Sequence, residues 1–285
     1  MSAPFSKVGL AIAFSPTAVA LLAEAYHIVQ MLNADLVLIH VGVRQPDSAH
    51  QMDSLFAQAK IPKDRAKIVW EEGDPTKKIL KVTQREKIDL LLVGALKKER
   101  FVSLYIGTIA RRIMRKARCS VLVICKPTAK PTPIKNIVVN AEDSNYIEDA
   151  TRAACWIGMR EDSHWIHIVR ELKLLGLTMS AANEYTEDEY NRARQQLVQS
   201  EIDEVKEMLK GIPHEGLHIN VKVISGKSGF ELSRFTRRKK AELLVVGAPT
   251  RKFFWLDRVF PHDLEYIFAD LPCNLLIIQK LKKPS

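Results

Sequence analysis

Gly94, Lys97, Gly107 and Thr108 are the residues whose types and spacing best suit a phosphate. Gly94 closes the apolar run Leu90-Leu91-Leu92-Val93. Lys97, Lys98 and Arg100 follow on a charged stretch. Gly107 then precedes Thr108 and Ile109, which open an arginine-rich amphipathic segment running to Arg118. Strand, loop and helix start in that order leave free backbone N–H groups and the positive end of a helix dipole aimed at one point. Glycine allows close backbone approach there, and threonine adds a hydroxyl and a capping group. Lys97 has two readings: its ammonium reaches the phosphate, or its Cβ narrows the loop against a ligand. A degraded copy runs from Leu243-Leu244-Val245-Val246-Gly247-Ala248 to Pro261.

The remaining chemistry is sparse. His40 and His167 lie inside strand-like runs, at places that look repeated, and read as buried structural residues. His164, His214, His218 and His262 lack metal-ligand spacing, so no metal site is expected. There is no nucleophile elbow, Walker lysine or paired catalytic carboxylate, so no catalytic residue is assigned. Weak ATP hydrolysis is the most that an enzyme reading supports. Cys119, Cys125, Cys155 and Cys273 form no CxxC pair and read as buried free thiols.

These groups sit in a chain of 285 residues, 47% apolar, with a formal charge of +10. Residues 1–126 carry 20 Lys/Arg against 11 Asp/Glu, whereas residues 136–285 carry 21 against 22. The positive field of the first half favours anionic ligands. Arg111 to Arg118 places its arginines outside and Ile109, Ile113, Met114 and Ala117 inside. That pattern reads as a solvated amphipathic helix, and without interleaved aromatics it argues against nucleic acid. Arg237 to Lys240 reads as a basic helix end. No apolar run approaches the length of a membrane span, about 18 residues or more, so no membrane insertion is expected. The first residues lack a signal-peptide pattern, which sets cytoplasmic location as the expectation.

Positioning falls to alternating strands and helices. Strands are expected at Lys7 to Phe14, Ala34 to Val41, Ile68 to Trp70, Ile88 to Val93 and Ser120 to Ile124. Helices are expected from a Ser15 cap through Ala18 to Leu32, over 47–60, from Thr76 to Lys87 and from Thr108 to Ala117. Long unalternated apolar runs mark strands covered on both faces, and the alternation requires a parallel sheet with right-handed crossovers. Residues 127–135 form a proline-rich linker. The pattern then restarts: Leu243 to Gly247 repeats Leu90 to Gly94 at an offset of 153, and Cys273 to Ile278 repeats Cys119 to Ile124 at 154. The domains are expected at 1–126 and 136–285, with a long charged helix over 187–210 in the second.

With Val93-Gly94, Gly107-Thr108, His40-Val41, Gly73-Asp74-Pro75 and Cys119 to Ile124 in place, the sequence resembles a tandem universal stress protein, twice over. The resemblance implies two five-stranded parallel α/β sheets with helices on both faces. It also implies adenine nucleotide binding, by ATP or a relative, through Gly-x2-Gly-x9-Gly-Ser/Thr and an aspartate ending the first strand. Here Gly94, Gly107 and Thr108 keep the spacing, Lys97 replaces the second glycine, and Ala13 stands at the aspartate position. Val41 takes the position against adenine and ribose. The implied binding residues are therefore Ala13, Val41, Val93, Gly94, Lys97, Gly107, Thr108 and Ile109. In the second half Thr250, Phe260 and Pro261 replace the motif residues, Glu142 stands near the aspartate position, and Phe254, Trp255, Phe260 and Tyr266 suggest a filled site. The implied role is stress response or signalling; a nucleotide-free module acting through protein contacts is the alternative. Family members pair through the closing strand, which implies Val121 to Ile124 beside Leu275 to Ile278 within the chain, with a homodimer left open.

Overall fold

The computed structural model describes residues 2–97, 104–142, 146–172, 186–225, 229–249, 260 and 262–281, with the Lys97, His262 and Asp263 side chains left aside. The first half runs β1 Lys7–Ala11, α1 Ala18–Leu32, β2 Asp35–Val41, α2 Pro46–Ala59, β3 Ala66–Glu71, α3 Pro75–Arg85 and β4 Leu90–Gly94. A short ribbon, β5 Leu96–Lys97 with β6 Leu104–Tyr105, leads into α4 Thr108–Lys116 and β7 Ser120–Ile124. The second half runs β8 Asn136–Asn140, α5 Ile147–Glu161, β9 Trp165–Glu171, α6 Glu187–Lys210, β10 Ile219–Ile224, α7 Phe230–Arg238, β11 Leu243–Gly247, α8 His262–Ala269 and β12 Asn274–Ile278.

The element ends follow local chemistry. Asp74 caps α3, its carboxylate accepting from the Lys77 N–H at 2.8 Å, and Pro75 follows in the first turn, where no intrahelical donor is needed. Gly73 turns the chain there at φ +117°, a value that side-chain-bearing residues avoid. Thr186 and Glu189 form a reciprocal capping box at the start of α6. Asn33 ends α1 in the left-handed conformation at φ 50°. Two expectations shift. The first strand ends at Ala11 rather than Phe14. The first helix begins at Ala18 behind Thr17, because the Ser15 hydroxyl bonds the Thr17 hydroxyl at 3.2 Å instead of capping a helix N–H.

The expected two sheets are joined into one of ten strands, in the order β10-β9-β8-β11-β12-β7-β4-β1-β2-β3. Every pair of this sheet within a half is parallel, and the halves meet through β7 and β12, which run antiparallel. Leu122 faces Leu276, Val121 faces Ile277 and Val123 faces Leu275. The cross pairs exchange equivalent positions of the two halves, so the Leu122–Leu276 pair marks a local two-fold axis. The side chains of the seam obey it. The Asn274 side-chain oxygen accepts from the Cys125 N–H at 2.9 Å, and the Ser120 hydroxyl accepts from the Gln279 N–H at 3.1 Å. Pairing closes two apolar edges that would otherwise template aggregation.

Alternation sends side chains of the seam strands to opposite faces. Leu122, Ile124, Leu276 and Ile278 join the layer under α1, α2, α5 and the C-terminal half of α6. Val121, Val123, Leu275 and Ile277 join the layer under α3, α4, α7 and α8. Both faces are covered, which is why these strands are apolar without a break. All four cysteines are free thiols; Cys119, Cys125 and Cys155 are buried and Cys273 half-buried.

Strand register corrects one sequence match. Lys7 pairs Asp35, and Asn136 pairs Trp165. The partner of His40 in the second half is therefore Arg170, and His167 corresponds to Val37. The two do the same work: the His40 Nδ1 bonds the Ile12 carbonyl at 3.1 Å, and the Arg170 guanidinium donates to the equivalent Ala141 carbonyl at 2.7 Å. Both histidines are buried, as expected. The offset between β7 and β12, which matches Ser120 with Asn274, sets Ile106 and Thr108 against Phe260 and His262.

Candidate functional site

A cavity of about 440 Å³ opens at the C-terminal ends of β1, β2 and β4, beside the N-terminus of α4. This is where the strand order reverses between β1 and β4, the usual ligand crevice of doubly wound sheets. Ala13, Val41, Val93, Gly94, Gly107, Thr108 and Ile109 all line it. Seven of the eight expected residues are thus brought together. The eighth, Lys97, has its backbone in the ribbon opposite Leu104; its side chain, with Lys98 and Arg100, lies outside the described residues.

The ribbon itself has no counterpart among the expected elements. Leu96 pairs with Tyr105 and sits half exposed over Gly107. Further lining comes from Ala11, Ile12, Ile39, Pro75, Ile79, Ala110 and Ile113. Their only sequence signal is shared strand-face or helix-face position with the expected residues, and that cannot be read until the crossovers are known. Among the described lining residues every side chain is uncharged. The walls therefore suit a flat apolar group.

Polarity enters through the backbone. Gly107, not Thr108, is the cap residue of α4, and no side chain caps it. Thr108 is the first helical residue, which corrects its expected capping role. Arg111 N–H is the first to bond back, to the Gly107 carbonyl at 2.9 Å. The N–H groups of Thr108, Ile109 and Ala110 thus lie ahead of the first intrahelical donor, at the positive end of the helix. Gly107 has an ordinary φ of −66°, so backbone freedom is not what selects glycine. The surroundings are close: a Cβ there would lie 2.5 Å from Leu96 Cδ1, and one at Gly94 would lie 3.0 Å from Leu21 Cδ1, so a larger residue would need those leucine side chains to shift.

Arg111 is not free to meet an anion. Its guanidinium pairs with Glu265 of α8 at 2.6 Å and donates to the Ile106 carbonyl at 3.3 Å, while Arg115 reaches the other Glu265 oxygen at 2.7 Å. The arginine face of α4, expected in solvent, is partly a contact between the halves. The ribbon's return strand is tied to the same side: Ile106 N–H donates to the Phe268 carbonyl at 3.0 Å, and Leu271 N–H to the Leu104 carbonyl at 2.9 Å.

On the other face of β2 from the cavity residues Ile39 and Val41, His40 joins Phe14 and Trp70 in a ring cluster, with centroids 4.4 Å apart for Phe14–His40 and 4.8 Å for His40–Trp70. Burial lowers the pKa of His40, against the opposing pull of its bond to the Ile12 carbonyl. It stays neutral and serves packing. In the second half, Glu171 takes the place of Val41 and accepts the Gly229 N–H at 3.3 Å. Phe260 is buried and packs edge-on against Phe268, while Tyr266 is exposed beside Phe230. Thr250, Phe254, Trp255 and Pro261 lie outside the described residues. Among the described residues, no group of three His, Cys, Asp or Glu side chains could hold a metal, and no helix is long and apolar enough to cross a membrane.

Strand order and cavity together define a doubly wound α/β protein with a crevice at its topological switch point. Residues 4–124 match the family profile described as the universal stress protein family. The likeness to that family profile lies in the first half of the chain. A curated relative, universal stress protein MJ0531 of Methanocaldococcus jannaschii, is 34% identical over 56 residues, which cover 20% of this chain and 33% of the relative. The chain thus spans about a third of the length of that relative. A universal stress protein of Archaeoglobus fulgidus superposes over 98% of this chain and 99% of its own, with a TM-score of 0.67 at 12% identity. One from Pseudomonas aeruginosa superposes over 96% and 93%, with a TM-score of 0.65 at 16% identity. At these identities the likeness speaks for the fold across both halves.

Proposed function

We propose that the first half, residues 1–126, binds an adenine nucleotide in the cavity between β1, β2, β4 and α4, and that the chain reports the bound state in stress response or signalling. One observation carries this: seven expected residues from four separate stretches of chain line one cavity, and the helix N-terminus at its wall has no side-chain cap. Ala13, Ile39 and Val41 suit the base and ribose. The Thr108 and Ile109 N–H groups and the Thr108 hydroxyl suit a phosphate. Ala13 supplies no carboxylate to a ribose or base, so recognition there rests on shape and backbone groups. The cytoplasm is the proposed location. The linker 127–135 and the second half, 136–285, complete the proposed division, with the second half as the partner across the β7–β12 seam and a homodimer of chains as a further level.

Titration calorimetry with ATP, AMP and cyclic AMP tests this. Binding that is lost in Val41→Trp, which fills the cavity, supports it. Failure of all three ligands to bind at millimolar concentration refutes it and favours the alternative, a nucleotide-free module acting through protein contacts. The observation on that side is that Gly94 and Gly107 lie against the Leu21 and Leu96 side chains, so close packing inside the chain also accounts for their small size.

A further inference from the structure

A second cleft lies at the opposite end of the sheet, in the second half. It is lined by Asn136, Trp165, His167, Asn220 and the three cations Arg238, Lys239 and Lys240, and has a volume of about 520 Å³. Its floor is the start of β8, β9 and β10, and its wall is the C-terminal end of α7. We infer that this cleft binds a nucleoside phosphate, with the base stacked on Trp165 and the phosphate held by Arg238, Lys239 and Lys240.

Trp165 is a large aromatic left 45% exposed, on a strand whose other apolar residues are buried. It is not isolated. The His167 ring lies parallel to it, 6° off and 5.8 Å away, and His218 flanks it at 5.3 Å. The result is a ring platform open to solvent, the form on which bases stack. His167 is buried and holds the Asn220 side-chain amide at 3.1 Å. Burial, helped by the nearby Lys239 charge, lowers its pKa to about 4, so the ring is neutral and no charge disturbs the stack.

The cations are placed rather than loose. Arg238 and Lys239 both lie over the Phe235 ring, at 5.5 and 5.8 Å from its centre. Lys240 follows in the left-handed conformation at φ 50°, which turns the chain back into β11. Among the described residues none of the three is in an ion pair, whereas their neighbour Arg237 is neutralised by Asp270 at 2.9 Å. Lys222, exposed two residues along β10 from Asn220, adds charge on the same strand face. Asn136 and Asn220 offer amides for base edges. The α7 dipole favours cations at this end, but it gives no reason for a bare tryptophan beside them. Trp165 and Lys239 belong to distant stretches of the chain, so neither stretch shows the pairing alone.

A free nucleotide and a single-stranded RNA offer the same base and phosphate, and the test separates them. Anisotropy of a fluorescein-labelled ten-nucleotide single-stranded RNA is measured on the full chain, with unlabelled AMP as competitor. Trp165→Ala is expected to weaken binding about 5- to 100-fold, with Trp165→Phe recovering most of it. Lys239→Glu with Lys240→Glu is expected to weaken it and to reduce the slope of log affinity against log salt by about 0.7 for each phosphate contact removed. RNA binding with AMP competing only at far higher concentration assigns the site to the strand; equal potency assigns it to the mononucleotide. Val41→Trp leaves this binding unchanged, which separates it from the first-half cavity. The inference is overturned if neither probe binds at millimolar concentration, or if binding is the same in the Trp165→Ala and double-charge variants. All four substituted residues are at least partly exposed, and circular dichroism melts confirm that the variants fold.

Discussion

Arg111 and Glu265 occupy equivalent positions in the two halves and meet as an ion pair at 2.6 Å beside the axis that relates them. A symmetric dimer of either half would place like charges there. Charge asymmetry thus favours pairing of first half with second half over pairing of each with itself. The same pair fixes α4, whose N-terminus walls the candidate cavity.

Replacing Glu265 with alanine leaves Arg111 and Arg115 facing each other. Both guanidiniums are a third or more exposed, so solvent screens much of the loss. The expected destabilisation is about 1 kcal/mol, read from the urea midpoint, and shrinks in concentrated salt. Arg111→Glu combined with Glu265→Arg restores most of it.

The seam itself rests on packing. Leu122 and Leu276 are 8% and 1% exposed at the centre of the β7–β12 pairing. Leu276→Ala is expected to cost about 2–5 kcal/mol in chemical denaturation. An effect below about 0.5 kcal/mol, the range of an ordinary surface substitution, would mean the halves are not held together there.

His27 of α1 meets Glu161 of α5 at 3.1 Å, a second contact between the halves. The bond to Glu161 raises the His27 pKa above 6.5, more than burial lowers it. A raised histidine pKa stabilises the fold fully below the unfolded value and loses that contribution as pH rises through the folded value. His40 and His167 are shifted the other way and oppose this at low pH. The difference between wild type and His27→Gln isolates the pair. It is expected to be largest near pH 5.5 and to fall by pH 8.5 in urea titrations.

The cysteines are expected to be inert in the native state. Burial pushes the Cys125 and Cys155 thiols up to about 12 and raises Cys273 as well. Cys125 also donates to the Cys273 carbonyl at 2.9 Å. An Ellman titration at pH 8 is expected to find less than about one reactive thiol in folded protein, since thiolate is the reacting form, and all four in guanidinium.

Much of this architecture was legible because it rests on local signals. Asp74-Pro75 and Asn33 announce helix ends through capping chemistry, and the unbroken apolar runs announce strands buried on both faces. The cavity was legible through Gly94, Gly107 and Thr108 at fixed spacing. What was not legible depends on register or distance. His40 and His167 look equivalent in sequence, and only strand pairing shows that Arg170 is the partner of His40. The β5–β6 ribbon has two residues in each strand, too few for a periodic signal. Glu265 lies too far along the chain to reveal that Arg111 is already paired, and the Trp165 cleft is built from four separate segments.

Nucleotide occupancy of the first-half cavity is read most directly from crystallographic difference density after co-crystallisation with ATP or AMP. Density is expected between Gly94, Gly107 and Val41, with a phosphate against the Thr108 and Ile109 N–H groups. A cavity that stays empty at millimolar nucleotide, with Leu96 packed over Gly107, would refute nucleotide binding in this half.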